Sequence, residues 1–159
     1  MIQRIQSVFL LIMALIMLTM LFLPIWVKGN PDTEELVVLN SFNLTHSQGL
    51  VKEVVAQKST IYISILVSLS AGLSIFSIFQ YKNRLNQIKL GALNSIFGMA
   101  IVLTSLYFTS KGQALLDPQL AGEYKIGFFI PVMALVFNTL ANRFIKRDEK
   151  LVQDSNRMR

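Results

Sequence analysis

Cysteine is absent from this chain. That removes disulfides, thiolate nucleophiles and cysteine-held metals together. Histidine occurs once, at His46, and a metal site needs several ligands from His, Cys, Asp or Glu. No glycine-rich phosphate loop is present, and no Ser-His-Asp grouping is suggested by spacing. Neither a cofactor nor an enzymatic activity is expected. Charge is scarce as well: 15% of the residues are Asp, Glu, Lys or Arg, against about 25% in soluble domains. The scarcity is uneven, with no charged residue in 5–27, 59–81, 90–110 or 126–142. Such gaps exclude an ordinary soluble domain. They also exclude a disordered chain, which would be rich in charge and poor in large apolar residues.

What fills the gaps is continuous apolar sequence, as in Phe9-Leu10-Leu11-Ile12-Met13-Ala14-Leu15-Ile16. A helix needs about 20 apolar residues to cross a hydrocarbon layer about 30 Å thick. A membrane β-barrel would instead alternate apolar and polar residues over about ten positions. The expected fold is therefore all-α: four transmembrane helices in an antiparallel bundle, near 5–26, 59–81, 88–110 and 126–145. The first run is too long for a signal peptide and ends in Leu23-Pro24-Ile25-Trp26 without a small-residue cleavage pattern. Trp26 suits an aromatic belt at the outer interface.

Orientation follows from the basic residues. With the amino terminus inside, ten Lys and Arg fall inside (Arg4; Lys82, Arg84 and Lys89; then Arg143, Lys146, Arg147, Lys150, Arg157 and Arg159). Five fall outside, namely Lys28, Lys52, Lys58, Lys111 and Lys125. Both termini are expected on the inner side. The net charge of +6 then reflects topology, with anionic lipid at the inner face as its counterpart and nucleic acid not expected.

The outer loop, 27–58, opens with the turn signal Lys28-Gly29-Asn30-Pro31-Asp32. Leu36-Val37-Val38-Leu39 and the alternating Ser41-Phe42-Asn43-Leu44-Thr45 predict a small β-hairpin lying on the outer helix ends. The tail, 146–159, is expected to be helical and basic. Phe144, Leu151 and Met158 repeat every seven residues. They form a narrow apolar seam beside Lys146, Arg147 and Lys150, suited to anionic lipid or a partner.

Ionisable residues kept inside a membrane usually mark transport or catalysis, and the four runs hold none. Their polar groups are amides and hydroxyls. Asn94, Asn138 and Asn142 are expected to hydrogen-bond between helices. Ser64, Ser68 and Gly72 are four apart, as are Gly91 and Ser95, with Gly98 adjacent. Small-residue faces let backbones approach closely, so the second and third helices are expected to form a hairpin along them.

The opening Met1-Ile2-Gln3-Arg4-Ile5-Gln6-Ser7 and the tail Arg147-Asp148-Glu149-Lys150-Leu151-Val152-Gln153-Asp154-Ser155-Asn156-Arg157-Met158-Arg159, with four spans between them, resemble a family. It is the bacterial integral membrane family called domain of unknown function 4293, of the Bacteroidota. The tail departs from the family pattern at Gln153, Asp154 and Asn156. The resemblance implies a bacterial inner membrane, with the outer loops periplasmic and both termini cytoplasmic. It supplies no activity and no site residues.

The expected function is that of a non-enzymatic accessory or scaffold subunit of an inner-membrane assembly, in contact with other integral membrane proteins. The alternative is a small homo-oligomeric transporter or channel, with Asn94, Asn138, Thr104 or Ser105 lining a path.

Overall fold

The computed structural model describes residues 3–49, 53–81, 83–117 and 119–157. Four helices carry most of the chain: α1 (Gln3–Met20), α2 (Ile61–Phe79), α3 (Arg84–Gln113) and α4 (Ile126–Arg157). Each packs on its chain neighbour, and α1 closes the ring against α4. Between them lie β1 (Trp26–Asn30), β2 (Glu35–Leu39), β3 (Asn43–Gln48), β4 (Glu53–Ser59) and β5 (Glu123–Tyr124). They form one antiparallel sheet in the order β4-β3-β2-β1-β5. The fold is thus mixed α/β, and the all-α expectation is corrected.

The expected hairpin is present as β2 and β3, with Val38 opposite Thr45 and Leu39 opposite Leu44. It is the centre of something larger. The Lys28–Asn30 segment, expected to turn, is the end of β1, and the turn follows it at 31–34. There the Asp32 amide donates to Asn30 Oδ1 at 3.0 Å, and Glu34 takes a positive φ of 51°, a region few side chains enter.

Sheet rows explain why the strands lie where they do. Side chains directly opposite on paired strands share a face. Trp26, Leu39, Leu44 and Lys58 form one such row, and Lys28, Val37, His46 and Ala56 the next. Trp26, Leu39, Leu44, Lys28 and Val37 are all buried, with the apolar ones in one core with α1, α2 and α3 residues such as Met17, Ile63 and Ile101. The sheet is a lid on one end of the helices.

Trp26 is therefore a core residue, 1% exposed, and the aromatic-belt expectation for it is corrected. A Cβ on Gly112 would lie 2.7 Å from its ring, and one on Gly122 would strike it. Both positions need glycine for lack of space.

The first helix also ends early, at Met20 rather than 26. Pro24 has no amide to continue the ladder, and it disfavours helical geometry at Leu23. The chain leaves through short-range bonds from Leu21 to Leu18 and Phe22 to Thr19. Among the described residues three helical segments are long and apolar enough to cross a membrane, Ile61–Phe79, Arg84–Gln113 and Ile126–Leu151; Gln6–Met20 of α1 is a shorter apolar helix.

Candidate functional site

A helix leaves its last carbonyls without partners, and in an apolar medium each one is costly. Three helix ends are answered here by side chains from elsewhere. Ser41 Oγ donates to Met20 O of α1 at 2.9 Å. Gln87 Nε2 donates to Ser77 O of α2 at 2.8 Å. Lys28 Nζ donates to Gln113 O of α3 at 3.1 Å and to Asp117 O at 2.8 Å. Lys28 is 1% exposed. Its charge faces the negative end of the α3 dipole, which favours a cation.

Inside the bundle two amides make junctions. Asn94 of α3 accepts from Ser70 Oγ at 2.5 Å and donates to Ser74 Oγ at 2.7 Å, with Met13 Sδ of α1 at 3.7 Å. One amide so joins three helices. Asn138 of α4 donates to Gly91 O at 2.7 Å and to Ser95 Oγ at 2.8 Å. Asn142, one turn on, packs over Gly91, where a Cβ would collide with its amide. Asn138 Oδ1 and Asn142 Oδ1 have no partner, and neither do the hydroxyls of Ser77, Ser105 and Thr109. These groups are neutral amides and hydroxyls, which bind and orient but do not exchange protons near neutral pH.

On the sheet, His46 Nε2 lies 3.8 Å from Glu35. Among the described residues no three His, Cys, Asp or Glu side chains are grouped to hold a metal. In β5, the Glu123 carboxyl is held below the usual carboxylate range by its hydrogen bond from Lys125 and by that ammonium's charge.

The family model described as Domain of unknown function (DUF4293) matches residues 2–158. The chain belongs to the DUF4293 family. No curated protein matches it. The match takes in sheet and helices alike, so the lid belongs to the family's domain as much as the apolar helices do.

For this DUF4293 chain the polar expectations divide. Asn94 and Asn138 bridge helices. The small-residue seam is different from the one expected. Ser64 is buried, but Ser68 and Gly72 face outward, and a Cβ on Gly72 would meet nothing within 4 Å. Steps of four residues overshoot a helical turn by about 40° each, so the Ser64-Ser68-Gly72 line winds off the contact face. The face in contact is Ile63, Val67, Ser70, Ser74 and Ser77, whose alternating steps of three and four stay in line. Gly91 and Gly98 do mark close approach, but to α4: a Cβ on Gly98 would lie 2.7 Å from Leu135.

The tail seam is likewise divided. Phe144 stacks on Phe9 of α1 with centroids 5.6 Å apart, so it serves the bundle. Leu151 is 55% exposed, Met158 lies outside the described residues, and Lys146, Arg147 and Lys150 are exposed. Sequence reasoning missed Lys28, whose partners lie 85 and 89 residues away. It also missed the partners of Gln87, read as part of the loop before the third helix, and of Ser41, read as the start of the second strand of the hairpin.

Proposed function

We propose that this DUF4293 protein is a multi-pass integral membrane protein, oriented with its sheet outside and both termini inside a bacterial inner membrane. It serves there as a non-enzymatic accessory or scaffold subunit. The observation that carries the membrane part is the placement of tyrosine. Tyr62 opens α2 and Tyr81 follows its end, both largely exposed. Their 19-residue separation spans about 28 Å along a helix, close to the hydrocarbon thickness. Tyr107 and Tyr124, also exposed, sit at the Tyr62 end. Exposed apolar side chains such as Ile65, Leu69, Leu103 and Val136 lie between the two levels. Amphipathic rings at both ends of an apolar belt match a bilayer's interfaces. The basic residues concentrated at the Tyr81 end support the orientation.

The scaffold part is supported by the outer surface and the tail. Arg143, Lys146, Arg147 and Lys150 follow steps of three and four, share one face of α4 and are exposed. They offer an anionic lipid surface or an acidic partner a continuous basic stripe. The channel alternative has less to draw on. Asn94, Asn138 and Ser105 are buried within one chain, and Thr104 donates to Ala100 of its own helix. They do not lie where a path between copies would run.

The test is accessibility in intact inner membranes, using a thiol reagent that does not cross them. Ser47→Cys labels from outside and Ser155→Cys labels only after permeabilisation; the reverse pattern sinks the orientation. Gentle purification from native membrane then recovers a stoichiometric partner. Its recovery falls when Lys146, Arg147 and Lys150 are changed together to Gln. A homo-oligomer with no second protein would favour the channel reading instead.

A further inference from the structure

The sheet lid does not end where the helices beneath it end. In the row Trp26, Leu39, Leu44, Lys58, the first three are buried against the bundle. Lys58 continues the row on the same face but is exposed, as is every residue of β4. β4 therefore overhangs. Beneath the overhang is a cavity of about 290 Å³ bounded by Leu44, Ala56, Gln57 and Lys58 of the sheet and by Lys111 and Leu115 at the end of α3. Its walls are apolar apart from Gln57 and the two lysines. Among the described residues neither ammonium has a carboxylate partner; Lys111 Nζ stands 5.6 Å over the Tyr107 ring. The groove sits at the level of Tyr62 and Tyr107, the interface level of the membrane reading on which this inference rests.

We propose that this groove binds the headgroup of an anionic glycerophospholipid in the leaflet at the sheet end. The phosphate lies between the Lys58 and Lys111 ammonium groups, and the glycerol and first acyl carbons lie against Leu44, Ala56 and Leu115. Two uncompensated positive charges over an apolar floor match a ligand that is anionic at one end and apolar at the other. A free phosphate would leave the floor exposed to water, and an apolar peptide would leave the ammonium groups unpaired. The strand edge itself is a poor template for a partner strand. It carries Lys58 and Glu53, and the pairing shifts register at His46 and Ser47, leaving Val55 as a bulge; both features discourage edge pairing.

The test is lipid retention by the full chain in mild detergent, read by native mass spectrometry during titration with phosphatidylglycerol or phosphatidylcholine. Wild type retains phosphatidylglycerol in preference. Lys58→Gln with Lys111→Gln weakens that binding about 30-fold, given what each basic residue contributes near an anionic headgroup, and the preference disappears. Lys125→Gln, a lysine outside the groove whose ammonium pairs with Glu123, leaves it. Ala56→Trp fills the groove while keeping both charges, and lowers retention as far as the double variant does. Equal retention by wild type and the lysine double variant overturns the proposal. So does full retention by Ala56→Trp, displacement of the lipid by inorganic phosphate, or a wild-type dimer that the double variant dissociates. Alkaline carbonate extraction separates the two levels of failure. A chain released from membranes by carbonate defeats the membrane reading, whereas a chain that stays and shows no lipid preference defeats the groove alone.

Discussion

The two ends of the helix ring are finished by opposite means. At the sheet end the helix termini are roofed: Trp26 fills the space between Gly112 and Gly122, Ser41 ties down α1, and Lys28 ties down α3. Among the described residues Lys28 is the one charged side chain that is buried. Among the described residues the far end has no such roof. The helices are joined there by Gln87 across the α2–α3 corner, and further inside the bundle by the neutral amides of Asn94 and Asn138. The charges at that end, Lys146, Arg147 and Lys150 among them, stay exposed. A buried cation is tolerated where backbone carbonyls converge on it. Elsewhere in the interior the polar groups are neutral and carry no such desolvation penalty, even where, as at Ser105 and Thr109, a hydroxyl has no partner.

Breaking the roof should have the largest effect. Trp26→Ala is expected to lower stability by about 3–5 kcal/mol, the range for large aromatic truncations in a core. Phe144→Ala, at the far end, removes one stacked pair on the bundle's flank and should lose about 1 kcal/mol beyond its smaller buried area. Thermal unfolding in detergent ranks the two; equal losses would mean the sheet is not the better packed end.

Lys28→Met comes next. It removes the lysine donor from the Gln113 carbonyl and leaves the Asp117 carbonyl with the Leu120 amide alone, and charged hydrogen bonds of this kind contribute about 1.5–3 kcal/mol. Asn94→Leu removes the amide from a neutral junction, leaving the Ser70 hydroxyl without its acceptor, and should lose about 0.6–2 kcal/mol. If Asn94→Leu proves the more damaging, the amide junctions and not the roof hold the ring together.

A pair of glycine substitutions sharpens the comparison within the far half. Gly91→Leu drives into Asn142 and should lose about 1–3 kcal/mol through overpacking. Gly72→Leu points into open space and should change stability by less than about 0.5 kcal/mol. Matching losses in the two variants would reinstate the Ser68-Gly72 line as a contact face.

The smallest effect belongs to the exposed pair Glu123 and Lys125. The lysine lowers the carboxyl's pKa in the folded chain, so any stabilisation is present above the ordinary carboxylate range. It fades as pH falls through the lowered folded value. Lys125→Gln should leave the melting temperature at neutral pH nearly unchanged, because exposed pairs contribute little. A marked drop would mean that β5 depends on the pair.

The helices were legible in the sequence because uncharged runs of some 20 residues have few other homes. The strands were legible only in part. Leu36–Leu39 and Ser41–Thr45 announce themselves by β-branched content and alternation. β1 contains Gly29 and Asn30, both disfavoured in strands, and follows directly on an apolar run, so it read as helix end and turn. β4 overhangs and buries neither face, so no alternation was imposed on it. Lys28 was unreadable for another reason: whether a lysine is buried depends on carbonyls brought to it from 85 residues away. The amides at Asn94 and Asn138 could be picked out as polar groups in apolar runs, but their partners depended on the rotation of each helix. A small-residue spacing of four does not fix that rotation.

The pairing of β1 with β5 sets a schedule for making the molecule. Strands β1 to β4 follow one another in the chain and can zip up as they emerge, while β5 is nearly a hundred residues behind β1. Trp26 consequently waits for Gly122, and α1 waits for α4, until β5 and α4 have followed them in synthesis. Long-range closures of this kind are slow. Until the last helix arrives, the growing chain carries an open-sided ring, with α1 and β1 lacking their final neighbours.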